Sequence, residues 1–258
     1  MSLSFQDHHK TFFKNMRKEG YVNFGVYEMG DEKWLPNAAN YSYSNDWDYG
    51  FRNYYNQHLP KRYPHVQYVH LGMRSGYGPI LKKHLLPSHH RQTTCNFIGS
   101  LRSNRGDMVA ALDRTGVECF MSKDARWESR DNIHSISYRH ILQNSVFTLA
   151  PWGNNAESLR LYEALEAGSI PIVQRGNTSD PATSLLFLNA VNHMPVPFPV
   201  IDDWAQVANI MQSLSLSELL RVQRMSVQWW HDTKRTMQVN VANSITKSFC
   251  AVHGGECC

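Results

Sequence analysis

Between Val146 and Val173 the chain reads VFTLAPWGNNAESLRLYEALEAGSIPIV, and this stretch restricts the fold more than any other. An apolar strand runs into a glycine turn. A helix carrying Glu163 follows, and a second apolar strand opens at Gly168-Ser169-Ile170-Pro171. Two apolar runs bracketing one short helix predict a parallel crossover rather than a hairpin. Such a crossover brings backbone N–H groups and one carboxylate to the carboxyl edge of a parallel sheet, where α/β folds hold nucleotides.

The same rhythm extends upstream. TTCNFIG from Thr93 predicts a strand, RGDMVAALDRTG a helix closed by Gly116, and VECFM the next strand. Tyr138 to Asn144 predicts a short helix. Thr183 to Val191 predicts another, and Asp202 to Leu214 an N-capped one. Residues 217–249 form a long amphipathic helical region containing Trp229 and Trp230. Nearer the start, FGVYEM, DYGFRNYYN and VQYVHLG are strand candidates, and RSGYGP (Arg74 to Pro79) reads as a turn or hinge. The expected class is α/β. Residues 1–79 form a partial amino-terminal lobe, residues 80–92 an interlobe linker, and residues 93–258 a Rossmann-like lobe with a parallel sheet and carboxyl-terminal helices.

Composition narrows the function. Charged residues make up 19% of the 258 and hydrophobic ones 42%, so the chain can fill a core and is not globally disordered. A net charge of +4 suits an anionic small molecule and is weak support for nucleic acid, even with the basic run Lys82 to Arg91 (KKHLLPSHHR). No apolar run reaches the ~18 residues that a membrane span needs, and the opening MSLSFQDHHKTFF has no signal-peptide core. Five cysteines give neither a disulfide framework nor a zinc spacing. Cys95 and Cys119, in two strands of one lobe, either pair or stay as buried thiols. Neither a P-loop nor G-x-G-x-x-G occurs, which argues against nucleotide hydrolysis and NAD chemistry.

The candidate site residues follow from strand ends. In the helix around Tyr162, the residues Leu161, Ala164, Leu165 and Gly168 share one stripe. Glu163 is therefore expected opposite the buried face, able to accept from a ribose diol or to pair with a surface cation. Gly153 lets a phosphate approach the backbone, with the amides of Asn155 to Ser158 pointing outward. Asn154 or Asn155 also suits a helix cap. Arg160 neutralises a diphosphate or pairs with Glu157 or Glu163. Gly99, followed by Ser100, Arg102 and Arg105, repeats that logic one strand earlier. Asp31 or Glu32, after the first strand, is the candidate general base. Arg52 and His70 lie on or beside strands as further cleft candidates. Asp46-Trp47-Asp48 has the letters of a metal motif beside a strand, and no metal site is assigned.

These residues carry a resemblance. APWGNNAESLRLYEALEAGSIPIV resembles the carboxyl lobe of exostosin-like glycosyltransferases of the GT-B type. GVYEMGDE, DYGFRNYYN with YVHLG, and CNFIGSLRSNRGDM are similar to the ribitol-5-phosphate xylosyltransferase branch of that class. The similarity spans about residues 22–175. It implies two Rossmann-like lobes and an inverting transfer from a UDP-sugar, UDP-xylose first, to a glycan or glycoprotein hydroxyl. It implies no obligatory cofactor, a divalent metal being left open, and residence on the lumenal side of the Golgi. Glu163 matches the ribose-binding acid. Where many such enzymes place an acid eight residues earlier, Asn155 stands here, with Glu157 offset. Against a full GT-B enzyme the amino-terminal lobe is expected to be reduced to its last strands. The alternative is a nucleotide-sugar-binding fragment or partner module without transfer.

Overall fold

The computed structural model describes residues 5–28, 48–57, 64–101, 105–122, 133–176 and 184–252. The chain forms two compact units, one of residues 1–70 and 234–258 and the other of residues 71–233. Among the described residues no helix is long and apolar enough to cross a membrane.

The first unit holds the helix Phe5–Lys18 and three parallel strands, β1 (Gly25–Glu28), β2 (Tyr49–Arg52) and β3 (Val66–Tyr68), in the order β1-β2-β3. Gly25 pairs with Tyr49, and a Cβ at Gly25 would collide with the Tyr49 ring. Asp48 accepts from the Phe24 N–H at 2.8 Å and pairs with Arg17 at 3.1 Å, so its oxygens tie strand to helix. Asp46 and Trp47 lie outside the described residues.

The second unit is a five-stranded parallel sheet. Its strands are β4 (Thr93–Ile98), β5 (Phe120–Ser122), β6 (Ser145–Ala150), β7 (Ile170–Gln174) and β8 (Val200–Ile201), in the order β5-β4-β6-β7-β8. Helices Arg105–Thr115, Ser135–Asn144 and Leu159–Glu166 make the crossovers between β4 and β7. Chain direction across the sheet reverses between β4 and β6. The central strands are buried nearly end to end, as a sheet covered on both faces requires. Two of their polar side chains join a short buried network. Asn96 Nδ2 donates to Thr148 Oγ1 at 2.8 Å, and Thr148 shares a 2.8 Å hydrogen bond with the Ser169 hydroxyl. Cys95 of β4 and Cys119 form a disulfide, Cα atoms 4.7 Å apart, a bond that persists in oxidising compartments.

Two expectations about elements change. Thr183 to Val191 yields only the single turn Leu186–Asn189 among its described residues. Residues 80–92, expected as an interlobe linker, fall inside the second unit. The reason lies in three buried glutamates. Leu71 N donates to Glu157 Oε1 at 2.7 Å, Arg74 N to Glu163 Oε1 at 3.4 Å, and Ile80 N to Glu166 Oε1 at 2.9 Å. Further along, Ser88 N donates to Gln223 Oε1 at 2.8 Å. The last helix, Leu216–Val252, begins in the second unit and ends in the first. From it Trp230 Nε1 donates to Glu166 Oε2 at 2.7 Å.

Glu166→Ala therefore strands two buried donors, the Ile80 amide and the Trp230 indole. We expect a loss of about 2–5 kcal/mol in unfolding free energy, read by equilibrium urea denaturation.

Candidate functional site

In an open α/β sheet the crevice for a ligand lies outside the carboxyl ends of the strands where direction reverses. Here that point is between β4, ending at Ile98-Gly99-Ser100, and β6, ending at Ala150-Pro151-Trp152-Gly153. Two arginines converge on it. Arg160, in the first turn of Leu159–Glu166, donates through Nε (3.2 Å) and Nη2 to Ile98 O, with its guanidinium 4.7 Å from the Phe97 ring centre. Arg105 opens the helix Arg105–Thr115 and donates through Nη1 to Ser100 O at 2.9 Å.

The two glycines make this approach possible. A Cβ on Gly99 would collide with Arg160 Nη2, and one on Gly153 would lie 2.9 Å from Arg105 Nη2. Burial pushes the Arg160 guanidinium below its ordinary pKa, while Tyr138 and Glu163 pull it back up. A desolvated cation of this kind favours an incoming anion. Ser158 is the N-cap residue of Leu159–Glu166, and its side chain makes no cap hydrogen bond. Its hydroxyl is buried and, among the described residues, has no hydrogen-bond partner. Two helix starts, two guanidinia and one unspent hydroxyl thus gather at the mouth of the sheet, an arrangement able to hold a phosphate or diphosphate.

Other candidates stand differently from expectation. Glu163 was expected opposite the buried face but is 3% exposed. Tyr138 donates to Glu163 Oε2 at 2.6 Å, and Arg74 Nε lies 3.4 Å from Oε1. Tyr77 donates to the Glu163 carbonyl at 2.9 Å. The helix is covered on the side that its own periodicity leaves open, because residues 71–80 pack there. Glu157 is likewise interior, accepting from Leu71 N and, at 2.8 Å, from the Tyr162 hydroxyl. Asn155 turns inward. Its Oδ1 accepts from Glu157 N at 2.8 Å and its carbonyl from Gly153 N, so the Glu157 amide does not point outward.

Arg52 belongs to the first unit, is 1% exposed, and donates through Nε to Asn53 O at 3.1 Å. His70, in the same unit, is buried and shares a 2.8 Å hydrogen bond with the Tyr68 hydroxyl. Asp31, Glu32 and Arg102 lie outside the described residues. Sequence reading missed Arg74, Tyr77 and Tyr138 around Glu163. No local pattern marks them, since they stand 89, 86 and 25 residues from Glu163. The Arg74 guanidinium also lies 4.3 Å from the Tyr138 ring centre.

The fold defines a Rossmann-like α/β lobe with a switch point between β4 and β6. A family model described as the RXYLT1 C-terminal domain matches residues 76–250. The chain belongs to that family. Ribitol-5-phosphate xylosyltransferase 1 of Homo sapiens is 29% identical over 174 residues, covering 62% of this chain and 39% of the relative. The protein of the same name from Mus musculus is 28% identical over 174 residues, with the same coverage. That of Danio rerio is 26% identical over 178 residues. The chain thus spans about two fifths of the length of the curated relatives it matches.

Burial, and then the Glu163 charge, raise the pKa of both Tyr77 and Tyr138 above 10.0. In the unfolded chain these phenols ionise near pH 10, where the folded chain still holds both protons. The stability they support is complete below that pH and falls as pH rises above it. An ultraviolet difference titration is expected to show both silent until alkaline unfolding, and Tyr138→Phe to shrink the late step.

Proposed function

We propose that this chain is the nucleotide-sugar-binding part of a glycosyltransferase of GT-B type. It moves a sugar, xylose first among candidates, from a UDP-sugar to a hydroxyl acceptor such as a phosphorylated glycan. The observation that carries the reading is the convergence of Arg160, Arg105 and the unpartnered Ser158 hydroxyl at the switch point. The relationship to proteins named ribitol-5-phosphate xylosyltransferase supports xylose as the sugar and a phosphorylated glycan as the acceptor.

In the proposed reaction the acceptor oxygen attacks the anomeric carbon from the face opposite the diphosphate. A new carbon–oxygen bond forms, the bond to the diphosphate breaks, and the configuration inverts. Negative charge grows on the departing UDP, and Arg160, Arg105 and Ser158 are placed to stabilise it. Gly99 and Gly153 shape the same mouth, and Arg102 is proposed as a further charge partner of the diphosphate. The acceptor proton passes to a carboxylate, for which Asp31 and Glu32 remain the proposed bases. Glu163 reaches a ribose hydroxyl only by releasing Tyr138 or Arg74. Until then it positions both. The Cys95–Cys119 disulfide supports an oxidising compartment, and the Golgi lumen is the proposed one.

Calorimetry with UDP on the full chain tests the reading. Arg160→Ala is expected to weaken binding about 10- to 100-fold, the worth of one charge-assisted contact, and unchanged affinity would sink the site. A product assay with UDP-xylose and phosphorylated acceptors then separates transfer from binding alone. Guanidinia and helix starts meet the diphosphate charge in this reading. Chelation of divalent ions is therefore expected to leave UDP affinity unchanged, and a chelator-sensitive affinity would show that a metal shares the task.

A further inference from the structure

The basic run KKHLLPSHHR is not used by the site above, and the structure gives it an unusual setting. It forms two single turns, Lys82–His84 and Ser88–His90, and the first buries none of its residues. Leu81 is 58% exposed and Leu86 36% exposed, while Lys82, Lys83, His84, His89 and His90 are exposed beside them. An isolated exposed leucine needs no explanation. Two leucines held out among lysines on a rigid support are a different case.

The support is a buried arginine. Arg91 donates through Nε to Leu86 O at 2.9 Å, through Nη1 to Leu142 O at 3.2 Å and Ser145 O at 2.8 Å, and through Nη2 to Ala167 O at 3.0 Å. Gln223 of the long helix adds a second clamp, with Nε2 donating to Leu86 O and Gly168 O, both at 2.9 Å. Lys82 Nζ donates to Gln228 Oε1 at 2.9 Å. On that helix Arg224 and Arg221, four and seven residues before Gln228, share its exposed sector. The acids nearby are Asp232, held by Gln228 at 2.7 Å, and Glu218, held by Ser215. Four exposed cations, Lys82, Lys83, Arg221 and Arg224, thus stand on the two elements that these hydrogen bonds join.

The patch also lies far from the mouth. Arg91 ties together chain entering β4, β6 and β7, at their amino ends, whereas the mouth is at the carboxyl ends. Six-residue strands separate the two edges by roughly 20 Å. A ligand of the mouth does not reach this surface.

We propose that the 81–90 knob, with the neighbouring Arg221 and Arg224, rests on an anionic phospholipid bilayer, leaving the carboxyl edge of the second unit's sheet directed away from it. Basic side chains meet the lipid phosphates, and Leu81 and Leu86 enter the headgroup boundary. A soluble polyanion would use the cations and have no use for the leucines, which is why the observations favour a bilayer. The proposed contact is peripheral.

Cosedimentation of the full chain with vesicles tests this. We expect binding to phosphatidylcholine vesicles containing phosphatidylserine and little to phosphatidylcholine alone. Lys82→Ala with Lys83→Ala is expected to lower the partition coefficient roughly 25-fold, about fivefold per lysine. Leu81→Ser with Leu86→Ser is expected to lower it roughly tenfold. Thermal melts by circular dichroism check that both double variants stay folded. Heparin is the soluble-polyanion arm. If the leucine variant keeps full vesicle binding, or if heparin binds while vesicles do not, the surface is a polyanion site and the proposal fails. Equal binding to neutral and anionic vesicles, or none to either, also overturns it.

Discussion

Three glutamates inside the second unit, Glu157, Glu163 and Glu166, set the terms for everything near them. A buried carboxylate without donors is costly, and so is a buried backbone amide without an acceptor. Residues 71–80 have no regular strand or helix to satisfy their amides. The glutamates are buried. Each meets the need of the other at Leu71, Arg74 and Ile80. An irregular segment can thus lie against the helix Leu159–Glu166, and the helix loses the freedom to rotate or slide along the sheet.

That constraint reaches the candidate site through one turn of helix. Arg160 sits three residues before Glu163 on the same fixed element. Its guanidinium meets Ile98 O only if the helix holds its register against β4. Gly99 and Gly153 then matter for what they leave out, since a side chain at either would occupy the space of a guanidinium. The disulfide from Cys95 joins the middle of β4 to the chain just before β5, fixing β5 beside it. Core satisfaction and glycine placement both act at the end of β4.

The sheet itself was legible, because each central strand carries its signal within six residues. VFTLAP and SIPIVQ are apolar on both faces and bounded by turn residues, and they became β6 and β7. The stripe Leu161, Ala164 and Leu165 was read correctly as buried. Glu163 was not, because periodicity reports which side of a helix faces the sheet and is blind to a segment folding over the other side. The same blindness turned residues 80–92 into a linker. Their single turns have no period, and their partners, Glu166 and Gln223, stand 86 and 135 residues away. The Cys95–Cys119 bond was open for a similar reason. It depends on β4 and β5 being neighbours, which no spacing rule states.

The contrast between two arginines separates scaffold from site. Arg91 and Arg160 both donate to backbone carbonyls, and burial lowers the pKa of both, Arg91 to about 10. Of the five N–H groups on a guanidinium, Arg91 commits four to four different carbonyls. Such a group has one N–H to spare and serves as a brace. Arg160 directs Nε and Nη2 to a single carbonyl, Ile98 O, which leaves Nη1 with no hydrogen bond among the described residues. A guanidinium that is desolvated, held in register and still short of acceptors is primed for an anion with several oxygens. Its neighbour Ser158 has the same unfilled capacity. The proposed diphosphate site rests on these two groups at the switch point, while Arg91 at the amino edge is spent on holding the scaffold.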